Sequence, residues 1–129
     1  MADPARRRVL IVDDAGLVRL YYRDALEAAG FEVDEALNGL EALEKLLSTP
    51  ADLLIVDVNM PQMDGLTFLR TLRRQAAPVS AVPALVASTE AAAQDVDAAY
   101  AAGANLYLIK PLSPDALVEH ARLLSGAPA

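Results

Sequence analysis

Acidic, hydroxyl and ammonium side chains follow short apolar runs at four separate places in the chain. Asp13 and Asp14 come directly after the first run, and Asp57 closes another run that begins at Leu53. Two later runs are followed by a hydroxyl pair and by a lysine, which are Ser88, Thr89 and Lys110. If these runs are parallel strands, their carboxyl ends meet at one edge of a sheet, where such folds bind ligands. The pattern therefore predicts one site built from distant parts of the sequence.

Crowded carboxylates determine what this predicted site can bind. Two carboxylates about 4 Å apart repel by roughly 4 kcal/mol at an effective dielectric constant of about 20, so they must take up protons or bind a cation. The candidate ligands are hard oxygen atoms and the chain has no cysteine, which favours Mg²⁺ or Mn²⁺ over Zn²⁺. Mg²⁺ often shares its coordination sphere with a phosphate, and Ser88 and Lys110 supply groups that suit one. The pattern indicates phosphoryl chemistry.

Asp57 is the candidate nucleophile, because it is central in the predicted sheet and leaves Asp13 and Asp14 to hold the metal. A carboxylate oxygen can attack phosphorus and form an acyl phosphate. Lys110, as a compact point charge, can pair with both the free carboxylate and its phosphorylated form. The sequence has neither of the glycine-rich phosphate-binding motifs, so ATP or a dinucleotide is not the expected ligand.

Strands and helices alternate along the chain, which predicts an α/β fold. The predicted strands are Val9–Val12, Phe31–Ala36, Leu53–Asp57, Ala84–Ala87 and Leu106–Ile109. Helices are predicted at Gly16–Ala29, from Asn38 to Leu47, from Asp64 to Arg74, up to Gly103 and from Ser113 to Leu124, with one long loop at Gln75–Pro83. Right-handed crossovers then give a doubly wound, five-stranded parallel sheet of flavodoxin-like order 2-1-3-4-5, with helices on both faces. The switch point of this order lies between the two strands that end on carboxylates.

Composition restricts the class of protein. The 129 residues fit one domain, which we expect at residues 8–125, with an N-terminal extension at 1–7 and a C-terminal tail at 126–129. A net charge of −7 argues against nucleic acid and anionic membranes as partners. The lack of cysteine and of any long apolar run predicts a cytoplasmic protein with no membrane association.

Each candidate residue also has a simpler explanation. Asp14, Ser88 or Thr89 could cap a helix, and Lys110 could be a solvated strand end. Four separate strand ends carrying compatible groups favour the functional interpretation over these alternatives.

With these motifs the sequence resembles the receiver domain of two-component response regulators, from Arg8 to Leu124. The likeness is greatest to single-domain, chemotaxis-type regulators. The matching motifs, in order and spacing, are Val12-Asp13-Asp14, Asp57, Met60-Pro61, Asp64-Gly65, Ser88, Gly103-Ala104 and Lys110-Pro111.

The resemblance implies a Mg²⁺-dependent signalling phosphoacceptor rather than an enzyme. Asp57 would take phosphate from a histidine kinase or phosphotransfer protein, and Ser88 and Lys110 would grip that phosphate. The implied metal ligands are Asp14, Asp57 and the carbonyl of Asn59, with Asp13 binding through water.

The resemblance also implies a route by which the signal leaves the domain. Tyr107 would turn inward when Ser88 moves, the Lys110-Pro111 bond would be cis, and a downstream protein would bind the face of helix 4, strand 5 and helix 5. Considered alone, Tyr107 could be an ordinary strand aromatic packed on the fourth helix. His120, the only histidine, is predicted to lie on the surface of the last helix, so the phosphate-donating histidine must belong to another protein.

Three departures from the family pattern affect these expectations. Ser88 replaces the commoner threonine, which keeps the hydroxyl but predicts looser coupling. Thr89 stands where a small residue is usual, which predicts narrower access to Asp57. Ala91–Ala93 and His120 occupy the face around helices 4 and 5 where motor-binding relatives carry lysine, so a flagellar-motor partner is not expected.

Two classes of function follow. The first is a stand-alone phosphoacceptor that switches partner binding in a two-component or phosphorelay pathway. The alternative is a small Mg²⁺-dependent aspartyl-phosphate hydrolase, which needs a second acid two residues after Asp57, where this chain has Asn59. A flavodoxin-like electron carrier fits less well, because its cofactor phosphate would meet Asp13 and Asp14.

Overall fold

The secondary structure consists of alternating strands and helices in a computed structural model that describes residues 6–127. The strands are β1 (Arg8–Val12), β2 (Glu32–Ala36), β3 (Leu53–Asp57), β4 (Ala84–Ser88) and β5 (Leu106–Ile109). The helices are α1 (Gly16–Ala28), α2 (Gly39–Ser48), α3 (Gly65–Arg73), α4 (Ala93–Ala102) and α5 (Pro114–Ser125). Residues 1–5 and 128–129 of the predicted extension and tail lie outside the described residues.

The sheet order is β2-β1-β3-β4-β5, and all four strand pairs are parallel. This confirms the predicted doubly wound, flavodoxin-like fold. Val12 pairs with Val56, so β1 and β3 end at the same level. Asp13, which follows β1, and Asp57, the last residue of β3, therefore lie at the same edge of the sheet.

Two apolar clusters cover the two faces of the sheet. Alternate residues of β1 and β3 belong to opposite clusters, because successive strand side chains point to opposite faces. One cluster includes Leu10, Val12, Leu54, Val56 and Phe68, and the other includes Val9, Ile11, Leu53, Ile55, Leu26 and Leu117. This two-sided burial explains why the middle residues of the central strands are all apolar.

Helix termini follow the capping signals in the sequence. The Asn38 side chain accepts a hydrogen bond from the Glu41 amide at the start of α2, and Ser113 does the same with Ala116 at the start of α5. The chain after α4 turns at Gly103, whose φ of 118° is in the left-handed region.

The segment predicted as a long loop contains one turn of 3₁₀ helix at Val79–Ala81. Arg73 holds this segment in place, since its guanidinium donates hydrogen bonds to the carbonyls of Ser80, Val82 and Gly103 and to Asn105 Oδ1. Sequence periodicity could not identify these contacts, because three of the four acceptors are backbone carbonyls.

Edge strand β2 carries three acidic residues, and each pairs with basic side chains. Arg8 contacts Glu32 at 2.8 Å and Asp34 at 3.2 Å. Glu35 receives hydrogen bonds from two residues of α1, and Lys45 of α2 contacts Asp34 and the Glu35 carbonyl. We call this group the β2 ion-pair network; its members are Glu32, Asp34, Glu35, Arg8, Arg19, Arg23 and Lys45.

Candidate functional site

Three carboxylates meet at the carboxyl edge of the sheet. One oxygen from each of Asp13, Asp14 and Asp57 lies within 4.8 Å of the others. Asp13 is buried, Asp57 is partly buried and Asp14 is exposed. We call these three residues with Lys110 the acid pocket.

The start of α3 closely approaches the backbone of Asp57. Gly65, at the start of α3, donates its amide hydrogen to the Val58 carbonyl at 2.9 Å. A Cβ at residue 65 would lie 2.2 Å from the carbonyl oxygen of Asp57. Glycine therefore allows α3 to begin directly against the strand end that carries Asp57.

Lys110 is the cation of the acid pocket. Its Nζ donates to Asp13 Oδ2 at 3.1 Å and to Asp57 Oδ1 at 3.2 Å. Burial lowers the pKa of Lys110, but the charges of Asp13 and Asp57 outweigh it and the net pKa is raised. Lys110 is therefore a paired cation, and the solvated-strand-end alternative is wrong.

The Asp57 carboxyl has a raised pKa. Burial is the largest cause, the charge of Asp13 adds to it, and Lys110 opposes both. One ammonium thus leaves the pocket with excess negative charge, which is the condition that favours a bound cation. The donors are all oxygen atoms of carboxylates, so this pocket fits Mg²⁺ or Mn²⁺ rather than a softer metal. Asn59 is exposed in the loop that follows Asp57.

The helix-cap alternatives are also wrong. The residue before α1 is Ala15, and no side chain caps this helix. Asp13 Oδ1 instead accepts the Ala15 amide hydrogen at 2.9 Å. The α4 N-cap is Ala92, again without a side-chain cap. Asp14, Ser88 and Thr89 therefore have no capping role.

Ser88 is buried at the end of β4, and its Oγ accepts the Glu90 amide hydrogen at 3.1 Å. Tyr107 on β5 is only 9% exposed, and its hydroxyl donates to the Glu90 carbonyl at 2.7 Å. Tyr100 of α4 accepts the Tyr107 amide hydrogen at 3.1 Å. The Tyr107 ring thus lies inward in this structure, linked to Ser88 through Glu90.

The remaining predicted residues lie around this centre. Thr89 is exposed beside Ser88, and the Lys110-Pro111 bond is cis. His120 is partly buried on α5, where its Nδ1 lies 2.7 Å from the carbonyl oxygen of Ala116 in its own helix.

Comparison with known proteins decides the family. The family model described as the response regulator receiver domain matches residues 9–122. The chain belongs to the response regulator receiver domain family. The sequence resemblance is thereby confirmed, and the acid pocket lies within the matched range.

Relatives of this receiver domain include both short and long proteins. The chemotaxis protein CheY4 of Vibrio cholerae has a similar structure, with a TM-score of 0.86 and 34% identity over 92% of this chain and 98% of that one. Sensor protein EvgS of Escherichia coli K12 is 40% identical over 91% of this chain and 10% of its own length. A protein-glutamate methylesterase/protein-glutamine glutaminase of Archaeoglobus fulgidus is 43% identical over 81% of this chain and 30% of its own length. This chain therefore spans a minor part of these two curated relatives.

Several residues near the receiver domain's acid pocket were not predicted from the sequence. Arg19 contacts the backbone of Asp13, and Tyr100 and Glu90 contact Tyr107. Only their placement in three dimensions identifies them, since each acts through a backbone group. Among the described helices, none has the length and apolar character needed to span a membrane.

Proposed function

We propose that this receiver domain is a phosphoacceptor in a histidine-kinase two-component or phosphorelay pathway. The observation that carries the proposal is the position of Asp57, which ends the central strand β3 inside a cluster of three carboxylates and contacts Lys110 at 3.2 Å. Asp57 is the residue that would receive the phosphoryl group.

In the proposed reaction a carboxylate oxygen of Asp57 attacks phosphorus while the bond from phosphorus to the donor imidazole nitrogen breaks. That nitrogen keeps the electron pair, and an acyl phosphate forms on Asp57. Lys110 would move its ammonium from the carboxylate to the new phosphate, and the Ser88 hydroxyl would donate to it. Bound Mg²⁺ supplies charge stabilisation to the phosphoryl oxygens. The residues that would hold it are Asp14, Asp57 and the Asn59 carbonyl, with Asp13 through water.

The phosphate donor must cover the rim of the acid pocket to reach Asp57. Leu17 and Tyr21 of α1 are exposed there, and they line an apolar groove shared with Lys110 and Pro111. A partly apolar protein surface, such as a helix bearing a phosphohistidine, suits this rim better than a small charged metabolite.

Asn59 supports signalling over hydrolysis. An aspartyl-phosphate hydrolase of the alternative class would use a second acid at this position to protonate its leaving group. The amide of Asn59 cannot release a proton in this way. We therefore propose that the domain assists only its own phosphorylation and dephosphorylation.

The contacts of Ser88 support an output through α4, β5 and α5. If the Ser88 hydroxyl turns toward a phosphate, its contact with the Glu90 amide must change. Glu90 also accepts the Tyr107 hydroxyl, so the same movement reaches β5 and the start of α4. Tyr100 of α4 and Ile109 of β5 are exposed large apolar residues of these elements, which favours a partly apolar protein partner. The Tyr107 ring is buried beneath this face, so Tyr107 would transmit the movement to the face rather than contact the partner.

We also propose the wider assignments made from the sequence. Residues 8–125 form the functional domain. The net charge of −7 and the lack of cysteine support a cytoplasmic location without nucleic-acid or membrane partners.

Intact mass measurement after incubation with acetyl phosphate and MgCl₂ tests the phosphoacceptor. We expect one added phosphate in the wild type and none in Asp57→Asn. Asp34→Asn is the matched control, because this carboxylate belongs to the β2 ion-pair network and should not affect incorporation. Unchanged incorporation in Asp57→Asn, or catalytic turnover of an aryl phosphate by the wild type, would contradict the proposal.

Hydrogen exchange tests the output route. On phosphorylation, amides of residues 88–96 and 106–109 should change protection together. Changes confined to α1 and α2 would show that the signal leaves by another face.

A further inference from the structure

Arg19 connects the acid pocket to the β2 ion-pair network. From α1, its Nη1 donates to the carbonyl oxygen of Asp13 at 2.7 Å, and its Nε donates to Glu35 Oε1 at 2.9 Å. The side chain is only 15% exposed. Its planar guanidinium can serve both acceptors at once, which a single ammonium cannot do in the same geometry.

The carbonyl that Arg19 holds belongs to the peptide between Asp13 and Asp14. The other groups of Asp13 are already held, since its amide donates to Ala36, Oδ1 accepts from Ala15 and Oδ2 accepts from Lys110. Arg19 therefore fixes the remaining polar group of this residue. The Asp13 carbonyl and the Asp14 amide form one planar peptide group. The hydrogen bond from Arg19 to this carbonyl therefore also limits where the exposed Asp14 carboxylate can lie.

We propose that Arg19 is a positioning residue that sets the Mg²⁺ affinity of the acid pocket by fixing the Asp13–Asp14 peptide. This inference rests on the proposed metal site. Glu35 offsets the positive charge of Arg19, so the peptide is held with little added repulsion toward a bound cation. Groups that orient metal ligands commonly change metal affinity by about tenfold or more when they are removed.

Arg23 offers a matched control on the same helix. Its Nε donates to the same carboxylate, Glu35 Oε2, at 2.6 Å, and its Nη1 contacts Glu27. Both arginines thus pair with Glu35, but the Asp13 carbonyl is held by Arg19. Arg19→Met and Arg23→Met should both lower thermal stability, while only Arg19→Met should alter the metal site.

Titration with MgCl₂, followed by NMR on the amides of Asp14 and Ala15, gives the test. Arg19→Met should weaken Mg²⁺ binding by about tenfold, whereas Arg23→Met should stay within about twofold of the wild type. Arg19→Lys should give an intermediate affinity, and it keeps the test decisive if the methionine variant does not fold. In acetyl phosphate reactions, Arg19→Met should raise the Mg²⁺ concentration needed for half the maximal rate while leaving the rate at saturating Mg²⁺ near the wild-type value.

The contrary results separate this inference from the proposed function. Equal Mg²⁺ affinity in the wild type and Arg19→Met would overturn the positioning role alone. If Arg19→Met does not fold, equal affinity in the wild type and Arg19→Lys would overturn it. Tighter binding in Arg19→Met would also overturn it, because Arg19 would then act as a repelling charge. A wild type whose amides do not respond to MgCl₂ would overturn the proposed metal site itself.

Discussion

The acid pocket and the β2 ion-pair network each contain three carboxylates, but their electrostatic states are opposite. In the pocket one lysine pairs with Asp13 and Asp57, and Asp14 adds a third carboxylate. In the network four basic residues surround Glu32, Asp34 and Glu35. The Asp57 pKa is raised, first by burial and then by Asp13. Burial also acts to raise the pKa values of Asp34 and Glu35, yet their hydrogen bonds outweigh it and both pKa values are lowered.

This difference teaches that the number of acidic residues does not identify a functional site. The network stabilises an edge strand because its charges are matched within the protein. The pocket keeps unmatched negative charge at the end of the central strand, so its stability depends on protons or an added cation. Arg19 belongs to the network but also contacts the backbone of the pocket.

The largest expected difference between the two regions comes from removing a cation. In metal-free buffer, Lys110→Met should lower the free energy of unfolding by about 3 kcal/mol, because it leaves two largely buried carboxylates unpaired. Arg8→Met removes two ion pairs from the network, yet should cost about 1 kcal/mol or less because those side chains are more exposed. Urea denaturation of both variants measures the difference. Equal losses would show that burial does not distinguish the regions.

Added metal should stabilise the folded protein through the acid pocket and not through the β2 ion-pair network. Mg²⁺ at ten times its dissociation constant should raise the free energy of unfolding by about 1.4 kcal/mol if it binds the folded state alone. Mn²⁺ should act in the same direction. Asp57→Asn should reduce this gain, whereas Glu32→Gln in the network should keep it. Thermal unfolding with and without MgCl₂ measures both, and an equal gain in Asp57→Asn would contradict the assigned ligand.

Much of this fold could be predicted from local sequence. Apolar runs such as Leu53–Val56 identified the buried strands, and Asn38, Gly103 and Ser113 marked helix ends, because these signals depend on neighbouring residues. The 3₁₀ turn at Val79–Ala81 was not predicted, because the Arg73 guanidinium contacts it through the Ser80 carbonyl, and such a contact of a side chain with the backbone leaves no hydrophobic pattern.

The predictable part of the site was its set of side chains. Strand ends in a known order brought Asp13, Asp57 and Lys110 together, as the sequence pattern indicated. The order of the strand ends could not give burial, so by itself it did not distinguish Asp13 from Asp14. In the structure Asp13 is buried with its amide, its carbonyl and both carboxylate oxygens hydrogen-bonded, whereas Asp14 is exposed. It also could not find Arg19, whose partner is a carbonyl.

Removing one carboxylate should change stability in opposite directions in the two regions. Without metal, Asp14→Asn should raise the free energy of unfolding by about 0.5 kcal/mol, because it relieves repulsion in the pocket and breaks few contacts. Glu32→Gln should lower it by a similar amount through loss of the contact with Arg8. Differential scanning calorimetry in chelator measures both signs. A midpoint lowered by Asp14→Asn would mean that the pocket is not repulsive.

The smallest effect is a difference in pH dependence. The Glu35 pKa is lowered from its ordinary 4.5, so its contribution to stability is complete above that value and is lost as the pH falls through the lowered pKa. The Asp57 pKa is raised from its ordinary 3.8, so its charge reduces stability progressively as the pH rises through the raised pKa.

In metal-free buffer, two substitutions should therefore change the free energy of unfolding relative to the wild type in opposite directions as the pH rises. At neutral pH, Glu35→Gln should have a free energy of unfolding lower than that of the wild type by about a few tenths of a kcal/mol, because the Glu35 side chain is 30% exposed. This difference should disappear on acidification. The free energy of unfolding of Asp57→Asn should instead exceed that of the wild type by most at neutral pH. This difference should vanish at low pH, because a protonated Asp57 carries no charge to remove. Urea denaturation across the acid range measures both curves. If the two curves ran in parallel, the pocket and the network would share one electrostatic state, and the excess negative charge assigned to the acid pocket would be wrong.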